Sequence, residues 1–159
     1  MTNGMVELLA DRKVSLNDIV ECVVYLESGF GGKEPDRDLI LKNVIDILDK
    51  REVQNAVRTG IALDRFGESG VMQDKVLEAI LMRDESLYGV DEVLAYGICN
   101  LYGSIALTNF GYIVSVKPGI IGELNNDVPG VCNTYLDDII GAIAASAASK
   151  SAHNRLEKK

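Results

Sequence analysis

The stretch "NTYLDDIIGAIAASAASK", residues 133–150, decides the fold. From Ile139 to Ala148 its residues are apolar or small on every side of a helix, with Ser146 as the one hydroxyl. A helix without a polar face is normally buried among other elements. We therefore predict that this helix begins near Tyr135 and forms the centre of an all-α bundle. Crossing a bilayer takes about 20 apolar residues, so the run is too short for a transmembrane span.

The rest of the chain shows helical spacing. Apolar residues recur three and four positions apart, and stretches rich in glycine, proline or asparagine at 28–35, 117–122 and 125–130 separate these segments. No strand-like alternation interrupts them. The pattern predicts a single domain over residues 1–159, an all-α bundle of about six helices, with a frayed tail at about 154–159.

Side chains suited to capping mark three predicted helix starts. Ser15, with Asp18 three residues later, resembles a capping box, and Asp36 can cap the next helix. Thr134 can cap the last helix, and Asp137 then stands at the third helical position, where an acid completes a capping box.

Composition and charge exclude several classes of partner. The chain of 159 residues carries a formal net charge of −8, with a pI near 4.6. This balance argues against nucleic acid and against a polybasic grip on anionic lipid, because both need a basic surface. The polar start of the chain does not resemble a signal peptide. Three cysteines without a CxxC motif are typical of a reducing compartment. We expect a cytoplasmic protein, with peripheral membrane contact as the alternative.

Two adjacent carboxylates, Asp137 and Asp138, stand at the mouth of the buried helix. The simplest interpretation is that they cap the helix and interact with its dipole, which is worth about 0.3–1 kcal/mol. A buried carboxylate without a partner is costly, however, and no lysine or arginine lies between Lys117 and Lys150. A divalent metal ion is the remaining partner, since hard cations prefer carboxylate oxygens.

A second acidic pair, Asp91 and Glu92, begins another predicted helix. One face of that helix is predicted to begin with an acid and to continue with small residues: Glu92, Ala95, Cys99 and Ala106. One stripe of the last helix has the same pattern: Asp137, Gly141, Ala145 and Ala148. Parallel packing of these two faces would bring Glu92 near Asp137 and Asp138. The alternative is that Asp91 and Glu92 only cap their own helix.

Five segments together carry a family resemblance: "KREVQNAVRTGIALD" (50–64), "DESLYGVDEVLA" (84–95), "DEVLAYGICNLYGSIALTNFGY" (91–112), "KPGIIGELN" (117–125) and "NTYLDDIIGAIAASAASKSAH" (133–153). They resemble the soluble bacterial branch of the phosphatidylglycerophosphatase A family. The resemblance implies an all-α magnesium-dependent phosphatase that removes the terminal phosphate of phosphatidylglycerophosphate. It also implies carboxylate metal ligands and a Lys-Pro pair, which fall here on Asp91, Glu92, Asp137, Asp138, Lys117 and Pro118.

These residues suggest a division of roles. We expect Mg²⁺ as the cofactor, with Mn²⁺ or another divalent metal as the alternative. Glu92 and Asp138 are the first predicted ligands, followed by Asp91. Asp137 is predicted to be a ligand or the general base that takes a proton from the attacking water.

The expected partner is a phosphomonoester or a phospholipid head group. Lys117 would supply positive charge to its phosphate. Asn109, a polar residue on an apolar segment, and Arg58, in a polar cluster of the first motif, are further substrate-binding candidates. Ordinary packing or an exposed position is the alternative for each of the three.

Two departures from the family pattern leave other functions open. Relatives commonly carry an aspartate three residues before the lysine, where this chain has Val114. The chain also lacks the hydrophobic spans and the Pro-Gly-rich N-terminal motif of the family's membrane enzymes. A phosphatase for a soluble phosphomonoester and a non-catalytic metal-binding or interaction module are therefore the alternatives. The acidic surface and the small-residue seams also predict a homo-oligomer.

Overall fold

The structure, a computed structural model, describes residues 2–29, 34–86 and 88–157. In this part of the chain there are nine helices and no strand: α1 (Thr2–Asp11), α2 (Leu16–Glu27), α3 (Arg37–Leu48), α4 (Arg51–Ser69), α5 (Lys75–Met82), α6 (Asp91–Cys99), α7 (Ser104–Val116), α8 (Ile120–Leu124) and α9 (Leu136–Glu157). The predicted all-α class is confirmed. The predicted loop at 28–35 includes residues 30–33, which lie outside the described residues.

The prediction of about six helices is consistent with this arrangement, and two of the predicted segments divide differently. Gly103 has a φ of 95°, which no helix allows, so the helix expected from Asp91 through Ala106 is interrupted and Ala106 belongs to α7. The segment 117–122, expected to be a turn, contains the start of the short helix α8.

Helix α9 is the centre of the molecule. It contacts α2, α3, α4, α6, α7 and α8, and Ile139, Ile143 and Ala147 are each 0% exposed. The predicted central position of this helix is therefore confirmed. Each fully buried isoleucine contributes about 1.5–3 kcal/mol through the hydrophobic effect. Among the described residues, no helix is both long enough and apolar enough to cross a membrane.

Two glycines allow neighbouring helices to approach α9 closely. A Cβ atom on Gly60 of α4 would lie 2.2 Å from Cδ1 of Ile139 and 3.3 Å from Cβ of Tyr135. A Cβ atom on Gly141 would lie 3.1 Å from Cγ1 of Val114, so the predicted small-residue stripe of α9 meets α7 at this point. Helix α6 packs beside it, with Cys99 Sγ 4.0 Å from the carbonyl oxygen of Ala142.

The capping predictions have mixed outcomes. The Ser15–Asp18 capping box is present, and the Asp36 carboxylate accepts a 3.1 Å hydrogen bond from the Leu39 N–H. The predicted Thr134 cap is wrong, because its hydroxyl donates to the Leu81 carbonyl oxygen at 2.5 Å. Helix α9 continues to Glu157, so part of the predicted tail at about 154–159 is helical, and residues 158–159 lie outside the described residues.

Candidate active site

A pocket of about 550 Å³ opens at the N-terminal ends of α6 and α9. It is bounded by the loop between α5 and α6, by the C-terminal end of α7 and by the C-terminal end of α8. Six acids and two bases line it among the described residues, together with four uncharged residues: Arg83, Asp84, Glu85, Ser86, Tyr88, Gly89, Asp91, Glu92, Lys117, Asn125, Asp137 and Asp138. One of the bases, Arg83, is paired with Glu85.

The first turn of α9 supplies the two most buried acids of this pocket. Asp137 and Asp138 are 3% and 5% exposed. The Asp137 carboxylate accepts a hydrogen bond from the Asp138 N–H at 2.8 Å. This contact stands in place of the predicted capping box between Thr134 and Asp137. Both side chains are buried because they stand on the central helix, and the pocket is where they meet solvent.

Asp64 of α4 holds the start of α9 in place. Its side chain is 0% exposed, and its two carboxylate oxygens accept hydrogen bonds from the N–H groups of Tyr135 and Leu136, both at 3.0 Å. These are donors that the first turn of a helix cannot satisfy internally. Asp64 therefore caps α9 from another helix and positions the acidic pair that follows. Burial raises its pKa to about 7, and the two N–H donors oppose that rise.

A partly buried arginine fixes the segment that precedes α9. Arg12 pairs with Glu68 and donates hydrogen bonds to the Cys132 carbonyl oxygen at 2.5 Å and to Asn133 Oδ1 at 3.0 Å. Glu68 in turn accepts the Cys132 N–H at 2.8 Å. The entry to α9 is thus anchored by α1 and α4.

Helix α6 brings the second acidic pair to the same pocket. Burial raises the pKa of Asp91, and the neighbouring Asp138 carboxyl group opposes that rise. Glu92 accepts a 2.9 Å hydrogen bond from the Tyr96 hydroxyl one turn later. Helices α6 and α9 begin at the same pocket, in the parallel sense that was predicted, but the face of α9 differs. Cys99 lies beside Ala142, whereas Gly141 of the predicted stripe meets Val114 of α7.

Lys117 reaches the pocket from the C-terminal end of α7. Its Nζ lies 3.6 Å from Asp137 Oδ2, and about a third of its side chain is exposed. The residue is left-handed, with a φ of 54°, and ends the helix as its C-cap. Its carbonyl oxygen would lie 2.6 Å from a Cβ atom on Gly122, so this glycine is required for the tight "KPGIIG" turn.

Two residues that the sequence analysis missed complete the acidic side of the pocket. Asp84 follows α5 in a left-handed conformation with a φ of 47°. With its amide oriented to suit its neighbours, Asn125 places Nδ2 3.1 Å from Asp84 Oδ2 and 3.2 Å from Asp137 Oδ2. Both residues stand within quoted family segments, "DESLYGVDEVLA" and "KPGIIGELN", which was the available signal.

The pocket is electrostatically unbalanced. Burial raises the pKa of Asp137 to about 7; the Asp84 carboxylate adds to this rise, and Lys117 opposes it. Burial raises the pKa of Asp138 to about 9, and repulsion from Asp137 and Asp91 adds to the rise. The pKa of Asp84 is raised by burial and by Asp91. The fully ionised pocket therefore holds more negative charge than Lys117 can balance.

Two predicted substrate-binding residues and the position of the family aspartate do not line the acidic pocket. Asn109 lines a different pocket, which it shares with Glu27 and residues of α9. Arg58 is exposed on α4, with its guanidinium beside Gly4 of α1. The structure brings neither to the acidic pocket, so their substrate-binding roles are not retained. Val114 packs against α9 at Gly141, one turn beyond the acidic pair.

The sequence pattern of the phosphatidylglycerophosphatase A (PgpA) family matches residues 20–153, which include every acid of this pocket. The chain belongs to the phosphatidylglycerophosphatase A family. The two acidic pairs that carried the PgpA resemblance, Asp91–Glu92 and Asp137–Asp138, therefore come together in one pocket of a family member.

Other proteins are similar to this PgpA family member in sequence or in structure. The uncharacterized protein YutG of Bacillus subtilis (strain 168) is 49% identical over 147 residues, covering 91% of this chain and 86% of YutG. The uncharacterized protein YpjQ of the same strain is 42% identical over 155 residues, covering 95% and 86%. The crystal structure of the low temperature requirement C protein from Listeria monocytogenes has a TM-score of 0.91 at 47% identity, covering 97% of this chain and 96% of that chain.

Proposed function

We propose that this protein is a divalent-metal-dependent phosphatase that acts on a phosphomonoester, with phosphatidylglycerophosphate as the first candidate substrate. The observation that carries the proposal is the buried pair Asp137 and Asp138, which opens on a pocket with Asp91, Glu92 and Lys117. Family membership supports phosphatase chemistry. The acidic pocket supports a metal requirement, because a phosphate cannot approach so many carboxylates without a compensating cation.

The donor set fits Mg²⁺ in its chemistry. Carboxylate oxygens are the ligands that hard cations prefer, and Asp137, Asp138 and Asp91 supply them from two adjacent helix starts. Among the described residues no three such side chains are yet arranged to hold an ion, so binding requires side-chain rotation from the arrangement seen. A bound divalent ion would neutralise charge on the phosphate and acidify a water molecule.

The residues of the chain then have distinct tasks. Lys117 can bind a phosphoryl oxygen through its ammonium group, which stands at the partly exposed side of the pocket. Where Asp137 is not itself a metal ligand, its carboxylate can accept a proton at Oδ2 from the attacking water as general base. Asn125 can orient Asp137 and Asp84 by donating to both.

Hydrolysis assays test the proposal. The purified protein is assayed with Mg²⁺, with Mn²⁺ and with a chelator, against phosphatidylglycerophosphate in micelles and against soluble phosphomonoesters. Asp138→Asn and Glu92→Gln should each lower kcat/KM at least about 100-fold, since each removes a carboxylate that would hold the metal ion, and with it the charge stabilisation that the ion would give the phosphate. Asp36→Asn is the matched control, because it makes the same change at an exposed cap where asparagine serves equally well.

The substitution Val114→Asp probes the departure from the family pattern. It adds a carboxylate one turn beyond the acidic pair, so it should raise activity or metal affinity. Activity that survives both Asp138→Asn and Glu92→Gln would contradict the assignment of this pocket. Metal binding without hydrolysis of any substrate would instead favour the non-catalytic metal-binding module.

A further inference from the structure

Residues 93–116, which form nearly all of α6 and α7, contain no charged side chain. A quarter of the whole chain is charged, so a run of this length is unusual in a protein whose net charge is −8. The run is bounded by charges at both ends, with Glu92 before it and Lys117 after it. Burial in the core explains the lack of charge only on the inner sides of the two helices, because each helix also has an exposed side.

The exposed sides of these helices form two stripes. Exposed residues recur at helical spacing: Val93, Tyr96 and Gly97 on α6 with Asn100 directly after it, and Leu107, Thr108, Gly111, Tyr112, Ser115 and Val116 on α7. We call these ten residues the uncharged face. The opposite sides of both helices are buried and pack against α9, so the two stripes point away from the same core helix.

Large apolar side chains are exposed on the uncharged face. Val93 is 59% exposed, Tyr112 52%, Tyr96 45% and Val116 44%. The Tyr96 ring meets the buried Phe110 ring of α7 at a centroid distance of 5.4 Å, so the two helices are neighbours at this point. Tyr25 of α2 stacks on Tyr112 and extends the apolar surface to a third helix. Contiguous exposed apolar surface of this kind marks a contact with another molecule.

Each stripe carries a glycine in mid-helix that the monomer does not require. A glycine inside a helix destabilises it relative to alanine, and such glycines usually make room for close packing. Gly60 and Gly141 fit that explanation, but a Cβ atom on Gly97 or Gly111 would meet nothing within 4 Å. The open space above both residues therefore suits the close approach of a second surface.

We propose that the uncharged face is the surface through which two copies of this chain pair. The chemistry favours a second copy over a bilayer. Helices that lie on membranes usually carry basic residues toward anionic lipid, and this face has none. Homodimer interfaces are apolar, depleted of charge and enriched in tyrosine, as this face is. Two acidic chains repel each other least where neither has charge.

Pairing through this face would place the interface beside the acidic pocket. Helix α6 begins at Asp91 and Glu92, and α7 ends directly before Lys117. The edge of the interface would therefore lie next to three residues that line the pocket. The inference does not depend on the proposed phosphatase activity, because its evidence is the exposed surface and its test is association.

Sedimentation velocity over about 0.1–100 µM protein tests the proposal, a range that spans weak to moderate dimers. The wild-type chain should pass from monomer to dimer. Gly97→Glu and Gly111→Glu should each raise the dissociation constant at least about 100-fold, because a two-fold interface receives one new carboxylate from each copy. Gly97→Ala and Gly111→Ala, which add only a methyl group, should weaken the dimer less.

Val76→Glu is the matched control, since it adds the same charge at an exposed valine of α5 outside the face, and it should leave the dimer intact. Melting at the lowest concentration checks folding, where the glycine variants should be no less stable than wild type. A wild-type chain that stays monomeric throughout, or a dimer that tolerates both glutamates, overturns the proposal. Binding of a monomeric wild type to phosphatidylcholine vesicles, lost in the glutamate variants, would assign the face to a bilayer and also overturn it.

Discussion

At the scale of single residues, Lys117 combines a strained backbone with a position in the pocket. A left-handed conformation costs an ordinary residue roughly 1–2 kcal/mol, and glycine is the usual occupant of such a helix end. Lys13 has the same conformation after α1, with a φ of 64° against 54° for Lys117. Only Lys117 stands beside Asp137. The left-handed backbone at position 117 therefore carries the ammonium group that faces the Asp137 carboxylate.

This comparison gives a paired prediction for Lys117→Gly and Lys13→Gly. Both substitutions relieve the left-handed strain, so each should change the free energy of unfolding by less than about 1 kcal/mol. Lys117→Gly should lower kcat/KM for a phosphomonoester by at least about 100-fold, because it removes a cation from the phosphate. Lys13→Gly should leave kcat/KM unchanged. Equal activity of the two variants would exclude Lys117 from the site.

The sequence predicted part of the site at this scale. Asp91, Glu92, Asp137, Asp138 and Lys117 belong to recognisable motifs, and the structure brings all five to one pocket. Asp84, Asn125 and Asp64 were missed because each is an ordinary polar residue in its local context. Their importance comes from partners far away in the chain, which no local pattern records.

At the scale of the helices, the close approach of α4 to α9 is decided by one small residue. Gly60 leaves no room for a methyl group between α4 and the side chains of Ile139 and Tyr135. This contact lies one turn before Asp64, which caps α9. The glycine therefore controls how α4 is seated against the helix that carries the acidic pair.

We expect Gly60→Ala to destabilise the protein by about 1–2 kcal/mol, because overpacking outweighs the gain in helix propensity. For a chain of this length the melting temperature should fall by about 3–6 °C. Gly97→Ala is the matched control, since its methyl group would enter open space, and it should stabilise the diluted monomer slightly. Thermal melts followed by circular dichroism compare the two. A Gly60→Ala protein as stable as wild type would show that α9 can shift to accommodate the methyl group.

At the scale of the whole molecule, stability is linked to three buried acids. The pKa is about 7 for Asp64, about 7 for Asp137 and about 9 for Asp138, all above the ordinary aspartate value of 3.8, with burial as the first cause. Between the ordinary and the raised value, the folded protein holds a proton that the unfolded chain has lost. Stability must therefore fall as pH rises through this window.

We predict that the metal-free protein loses stability from about pH 4 to about pH 9, by up to about 1.4 kcal/mol per pH unit for each such acid. Asp138→Asn should reduce the slope, most clearly above about pH 7. Mg²⁺ should oppose the loss, because metal binding strengthens as its ligands deprotonate and stabilises the folded state. Urea denaturation at a series of pH values, with a chelator or with Mg²⁺, measures all three effects. Stability that rises with pH in the chelator would contradict the burial of these charges.

The fold class and the central helix follow from the order of the residues alone. A run from Ile139 to Ala148 with no polar face has to be enclosed, so the other helices must surround it. Composition also set the acidic character of the surface. These properties are local or additive, and they can therefore be read directly from the order of the residues.

Only the tertiary structure decided how the pocket is assembled and how α9 is held. Asp64, Asp84 and Asn125 come from α4, from the loop after α5 and from the end of α8, and they meet the start of α9 across long separations in the chain. Thr134 was expected to cap α9 but bonds to Leu81, because Asp64 already satisfies the N–H groups of Tyr135 and Leu136. Such hydrogen bonds depend on how the helices pack in three dimensions. Each of these side chains has the chemistry to bond to several groups, and the packing selects the groups that lie within hydrogen-bonding distance.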